Sequence, residues 1–118
     1  MSLLSLLFGS RTNKGILLAP EEFNTKIQNK KIQLVDVRTA REFNDGHIVK
    51  AKNIDFYSRN FIAEISKLKK NQPVYLYCRT GARSRHAANK MGKMDFVEVY
   101  DLQGGISNWY RKNFKIVK

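Results

Sequence analysis

The chain has 118 residues, enough for one domain whose single core needs neither disulfides nor a metal. A hydrophobic share of 42% with 11% aromatics excludes a disordered chain, and the lone cysteine excludes an internal disulfide, a Cys-x-x-Cys redox pair and a cysteine-rich zinc site. With 22 basic against 10 acidic residues the formal charge is +12, which attracts anions of every kind. The lysines are scattered, and no helix carries a basic stripe with interleaved aromatics. The charge therefore reads as a solvated basic surface with no specific nucleic-acid partner.

Residues 1–13 are read as an appendage and residues 14–118 as the domain. The apolar start, Met1 to Phe8, is far too short to span a bilayer and lacks the basic n-region of a signal peptide. It suits short docking or a weak membrane-surface contact through residues 1–9. Ile16-Leu17-Leu18 is a first strand. Pro20 with Glu21 and Glu22 opens a helix whose inward face is Phe23 and Ile27. The β-branched run Ile32 to Val37 predicts a mostly buried strand. Thr39-Ala40-Arg41-Glu42 is a capping box starting a short helix that Asp45-Gly46 ends.

Ala51 to Ile54 is a weak strand, and Ser58 is placed to cap a helix bearing Phe61, Ile62, Ile65 and Leu68. Val74 to Tyr77 predicts the central strand, Ser84 to Lys93 a helix, Val97 to Tyr100 a further strand, and Gly104-Gly105 the start of a last helix with Ile106 and Trp109. Five strands interleaved with helices predict an α/β fold with a mainly parallel sheet covered on both faces. In such sheets ligands sit at the carboxyl ends of the strands.

Cys78 falls at such an end, followed by Arg79-Thr80-Gly81-Ala82-Arg83-Ser84. An isolated cysteine on a strand is usually an inert core residue. Here two arginines, a glycine and a helix-start serine are a poor way to finish a core, and they favour a thiolate open to reaction. His47 and His86 add too little for a metal site, so no metal and no cofactor is expected. A lone functional thiol suits a reducing, cytoplasmic compartment.

Four segments together make the chain resemble a single-domain rhodanese of the sulfurtransferase family. They are Asp36-Val37-Arg38 with Glu42-Phe43; Gly46-His47-Ile48 leading to Ala51 and Asn53-Ile54; Tyr77 through Ser84; and Leu102-Gln103-Gly104-Gly105 with Trp109. The resemblance implies a six-residue active loop, Cys78 to Arg83, whose amides curl round the outer sulfur of a cysteine persulfide. Related phosphatases use a wider loop that would place arginine at position 84, where this chain has Ser84.

The implied chemistry moves sulfane sulfur from thiosulfate or a similar small anionic donor to a thiol or cyanide acceptor, through a persulfide on Cys78. Arg83 and Arg79 would hold the donor's anionic group, while Thr80, Gly81, Ala82 and Ser84 contribute amides and loop shape. Asp36, Arg38 and Glu42 read as supporting scaffold, with Glu42 a partner of Arg38. The acceptor is a small thiol or a thioredoxin-like protein. The alternative is a rhodanese-fold carrier that serves a partner protein with little free turnover.

Overall fold

The computed structural model describes residues 15–118. The predicted appendage at 1–13 lies outside them. Strands β1 (Ile16–Leu18), β2 (Gln33–Asp36), β3 (Lys52–Asn53), β4 (Val74–Tyr77) and β5 (Val99–Leu102) form one sheet in the order β1-β5-β4-β2-β3. Every pairing is parallel. Helices α1 (Pro20–Lys26), α2 (Ala40–Asn44), α3 (Phe61–Ile65), α4 (Ala82–Gly92) and α5 (Gly105–Arg111) make the connections. None of these helices is long and apolar enough to cross a membrane.

Strand alternation sorts the core into two layers. On β4, Val74 and Leu76 join Val35, Ile65, Ala87, Ala88 and Met91 on the face covered by α3 and α4. Tyr75 and Tyr77 join Leu34, Phe23, Ile106 and Trp109 on the face covered by α1 and α5. The strand is buried at all four positions, which is why it reads as a continuous apolar run. Cys78 continues the alternation of Val74 and Leu76 and so belongs to the α3/α4 layer.

Several local expectations hold. Pro20 starts α1, and Thr39 with Glu42 closes a full capping box on α2. Others are corrected. Ser58 does not cap α3: Asn60 holds that position, and the Ser58 hydroxyl accepts instead from the Asn60 amide at 3.0 Å. Ile62 is 47% exposed, because only Phe61 and Ile65 face the core. The last strand starts at Val99 rather than Val97, whose amide bonds the Lys70 carbonyl away from the sheet. The helix predicted from Ser84 starts at Ala82, so Ser84 is a buried residue of its first turn and not its cap.

Candidate active site

The loop after β4 is shaped by main-chain contacts with α5. The amide of Ile106 donates to the Cys78 carbonyl at 2.9 Å and that of Ser107 to the Arg79 carbonyl at 3.1 Å. These donors belong to the first turn of α5, where helix geometry leaves them without a partner of their own. Gly105 makes the approach feasible. Its φ is +63°, and a Cβ there would collide with the Arg79 carbonyl.

On the other side of the loop, Gly81 (φ +120°) turns its amide onto Cys78 Sγ at 3.1 Å. Ser84 Oγ lies 3.4 Å from the same sulfur and 3.3 Å from the Gly81 carbonyl. The expectation of an open thiol is corrected here: Cys78 is 1% exposed. Its alternation on the strand sends it under the first turn of α4, and the loop folds back over it.

The arginines divide into paired and unpaired. Arg38 forms a buried fork with Asp36, with Nη2 2.7 Å from Oδ2, and also donates to the Gly46 carbonyl at 2.7 Å. Asn53 Nδ2 ties the carbonyls of Asp36 and Arg38. Glu42 is not the hydrogen-bonding partner of Arg38. It takes both terminal nitrogens of Arg83, at 2.7 and 2.9 Å. This bidentate pair holds the Glu42 carboxyl down at about 2, helped by the Thr39 amide and hydroxyl and opposed by burial. Tyr57 packs its ring against the same guanidinium, 5.6 Å from centroid to Cζ. Neither Arg79 nor Arg85 has an acidic partner within ion-pair distance among the described residues.

Arg79 lines a cleft of about 490 Å³ with Arg38, Glu42, Ile106, Tyr110 and Lys118. Thr80 lines a second, of about 680 Å³, with Pro20, Gln103, Ser107, Arg111 and Lys112. Cys78 lines neither. Thus Arg79, Thr80 and Ala82 present exposed side chains, while Gly81 and Ser84 meet the sulfur.

His47 bonds the Phe43 carbonyl through Nδ1 at 2.9 Å, and Trp109 is core, 2% exposed. His86 is exposed on α4. Among the described residues no cluster of three or more His, Cys, Asp or Glu side chains could hold a metal.

Asp101 on β5 escaped the sequence reading. It is 4% exposed, and its Oδ1 accepts no hydrogen bond. Burial raises its carboxyl to about 6, with Ser84 and Arg85 acting in the opposite direction. The signal was available in part: Asp101 stands two residues after the apolar Val99, and alternation along a strand sends both to the same inward face.

A parallel α/β sheet with a cysteine at the exit of its central strand, an amide on the sulfur and an arginine closing a six-residue loop defines a class of cysteine-loop domains. The Rhodanese-like domain family matches residues 19–112, and the chain belongs to that family.

Among its relatives, a thiosulfate sulfurtransferase, GlpE of Shewanella oneidensis, is 34% identical over 84 residues, covering 71% of this chain and 81% of that one. The uncharacterized protein YqhL of Bacillus subtilis is 38% identical over 92 residues, covering 78% and 70%. A tRNA uridine(34) hydroxylase of Pelagibacter ubique is 34% identical over 113 residues; the match takes in 95% of this chain but 37% of that longer protein. Of solved structures, a rhodanese-related protein from Thermoplasma volcanium superposes with a TM-score of 0.74 at 22% identity, over 86% of this chain and 97% of that one. That likeness speaks for the fold.

Proposed function

We propose that the protein is a sulfurtransferase that carries sulfane sulfur on Cys78. The observation that carries this reading is the Gly81 amide 3.1 Å from Sγ in a loop one residue too short for a phosphatase. A loop amide aimed at a sulfur stabilises negative charge there, whether on a thiolate or on the terminal atom of a persulfide.

In the first half-reaction Cys78 sulfur forms a bond to the outer sulfur of thiosulfate. The bond from that outer sulfur to the sulfonate breaks, and sulfite leaves with the electron pair. In the second, an acceptor thiolate bonds the outer sulfur and Cys78 departs as thiolate. The relay through one covalent intermediate implies ping-pong kinetics. Arg79, without an acidic partner and lining the neighbouring cleft, is the better-placed cation for the donor's sulfonate. Arg83 serves mainly as the brace that fixes the loop to α2 through Glu42. A lone working thiol suits a reducing, cytoplasmic compartment.

Incubation with thiosulfate followed by intact mass measurement tests the reading. A gain of one sulfur (about 32 Da) that Cys78→Ser abolishes supports it. No gain with thiosulfate or with any small persulfide donor overturns it.

A second reading is a carrier loaded by a partner protein. It is favoured by the 1% exposure of Cys78 and by the neutralisation of Arg83, both of which weaken capture of a free anion. Loading by a protein persulfide but not by thiosulfate would select it.

A further inference from the structure

The lysines lie scattered along the sequence, but the parallel sheet gathers them. Every strand pairing is parallel, so all strands enter at one end of the sheet and leave at the other, where Cys78 and its loop stand. The turns that lead into β2, β4 and β5 build the entry end. They carry Lys30 and Lys31, Lys69 and Lys70, and Lys93, all exposed.

Hydrogen bonds hold these turns together as one surface. Gln33 donates from Nε2 to the Lys69 carbonyl at 2.9 Å and accepts from the Lys69 amide at 2.7 Å. The Val97 amide donates to the Lys70 carbonyl at 3.0 Å. Beside the first turn, Lys30 and Lys50 rim a recess of about 230 Å³ whose walls include Ile27, Ile32 and Val49. Among the described residues, none of Lys30, Lys31, Lys50, Lys69, Lys70 and Lys93 lies within ion-pair distance of a carboxylate. Of the acids nearby, Glu64 is paired with Lys67 at 3.6 Å, Glu98 accepts from the Tyr100 hydroxyl at 2.9 Å, and Asp95 is exposed in the turn after Lys93. The surface therefore keeps an excess of positive charge.

The apolar start of the chain joins the domain at this same end. Gly15 precedes β1, and a Cβ there would meet Ala88 of α4 and the Val99 carbonyl at the start of β5. Residues 1–14 include Leu3, Leu4, Leu6, Leu7 and Phe8, followed by Arg11 and Lys14. An apolar run of this length cannot span a bilayer, but it can bury in the boundary between headgroups and acyl chains. One such signal gives only marginal, reversible binding; a cluster of lysines facing anionic headgroups supplies the second that stable attachment needs.

We propose that the entry end of the sheet is a membrane-binding face, with residues 3–8 seated in an anionic leaflet and the gathered lysines on its headgroups. A nucleic acid would satisfy the lysines but not the apolar run, so lipid is the partner both features fit. The active loop, at the opposite end of the strands, then points into water, open to donor and acceptor. The inference goes beyond sulfur transfer and stands whatever Cys78 carries.

The test is co-sedimentation of the full chain with vesicles of about 70% phosphatidylcholine and 30% phosphatidylserine, against vesicles of phosphatidylcholine alone. Binding to the anionic vesicles should be at least tenfold tighter and should weaken steeply as salt rises from about 0.05 to 0.5 M. Lys30→Gln, Lys31→Gln and Lys69→Gln together should cost on the order of a hundredfold in affinity. These side chains are exposed, so the exchange leaves the core untouched. Leu4→Ser with Leu7→Ser should cost at least tenfold. Arg41→Gln, Arg85→Gln and Arg111→Gln, which remove the same charge away from this face, should cost less than threefold.

Absence of binding to the anionic vesicles, or equal losses from the lysine and arginine triples, overturns the proposal. So does a short RNA that binds through the same lysines while the vesicles do not. The orientation has its own readout: iodoacetamide should reach Cys78 at the same rate on and off the vesicles, and a slower reaction on them would place the loop against the lipid and overturn it. None of these measurements uses a sulfur donor, so vesicle binding without any gain of sulfur mass would disprove the proposed function alone.

Discussion

Glu42 closes on Arg83 through both of its carboxylate oxygens, so the arginine that ends the active loop is anchored to the start of α2 and not offered to solvent. The pair joins two segments 41 residues apart in the chain. It fixes the far end of the loop while α5 fixes the near end.

Arg79 and Arg83 should therefore respond differently to truncation. Arg79→Ala is expected to raise the thiosulfate KM roughly tenfold, as loss of one charge-assisted contact to an anion does, with little change in melting temperature. Arg83→Ala should lower stability by about 1–2 kcal/mol and reduce turnover with charged and neutral donors alike. Steady-state kinetics with thiosulfate and with a neutral persulfide donor separate the two. A KM effect confined to Arg83 would reverse the assignment.

The same pair sets an acid limit. The folded-state Glu42 pKa, about 2, lies below its ordinary value of 4.5. A depressed carboxylate contributes stability that is fully present above the unfolded pKa and is lost as pH falls toward the folded one. The window is thus from about pH 4.5 down to 2. With screening at a partly exposed site discounted, the contribution is about 1 kcal/mol. Denaturant melts of wild type and Glu42→Gln should differ by that amount at pH 7 and converge near pH 2.

Asp101 works in the opposite sense. Its folded-state pKa is raised to about 6 from 3.8, so its contribution is favourable below the unfolded value and lost as pH climbs through 6. Asp101→Asn should be more stable than wild type at pH 7 by roughly 1–2 kcal/mol, and the advantage should vanish at pH 4. Thermal melts at the two pH values check this.

Gly105→Ala should be the most damaging small substitution in the domain. The added methyl meets the Arg79 carbonyl and the residue holds a left-handed φ of +63°. We expect a loss of about 3 kcal/mol or more and no measurable persulfide on Cys78. Gly81→Ala meets no atom within 4 Å and carries only the strain of φ +120°. It should cost about 1–2 kcal/mol. Comparing melting midpoints with persulfide mass in the two variants distinguishes steric closure from backbone strain.

Burial of Cys78 predicts selectivity among thiol reagents. Iodoacetamide should modify it at least tenfold faster than a bulky aromatic disulfide, relative to the rates of each with free cysteine. Equal relative rates would mean that the loop opens freely.

Most of the architecture was legible because each element carried its own local signal. The Pro20 start, the Thr39 capping box and the unbroken apolar β4 are short-range features, and each appears where the residues place it. The nucleophile loop was legible from its spacing and from its likeness to a family. What escaped depended on contacts between distant residues. The partner of Glu42 could not be chosen between Arg38 and Arg83 without the packing of α2 against the loop. The burial of Cys78 followed from which way strand alternation turned it beneath α4. Ile62 satisfied helical spacing but faces outward, because α3 is a five-residue helix with only two residues turned to the core.

The hold of α5 on the loop runs through its own amide N–H groups and the loop's carbonyl oxygens, and a carbonyl is supplied by whatever residue stands in the loop. The residues at 79, 80 and 82 can thus be exchanged as an independent set, recasting which molecule is welcomed while the sulfur keeps its seat. An engineer wishing to retarget this domain has three editable positions resting on an invariant frame.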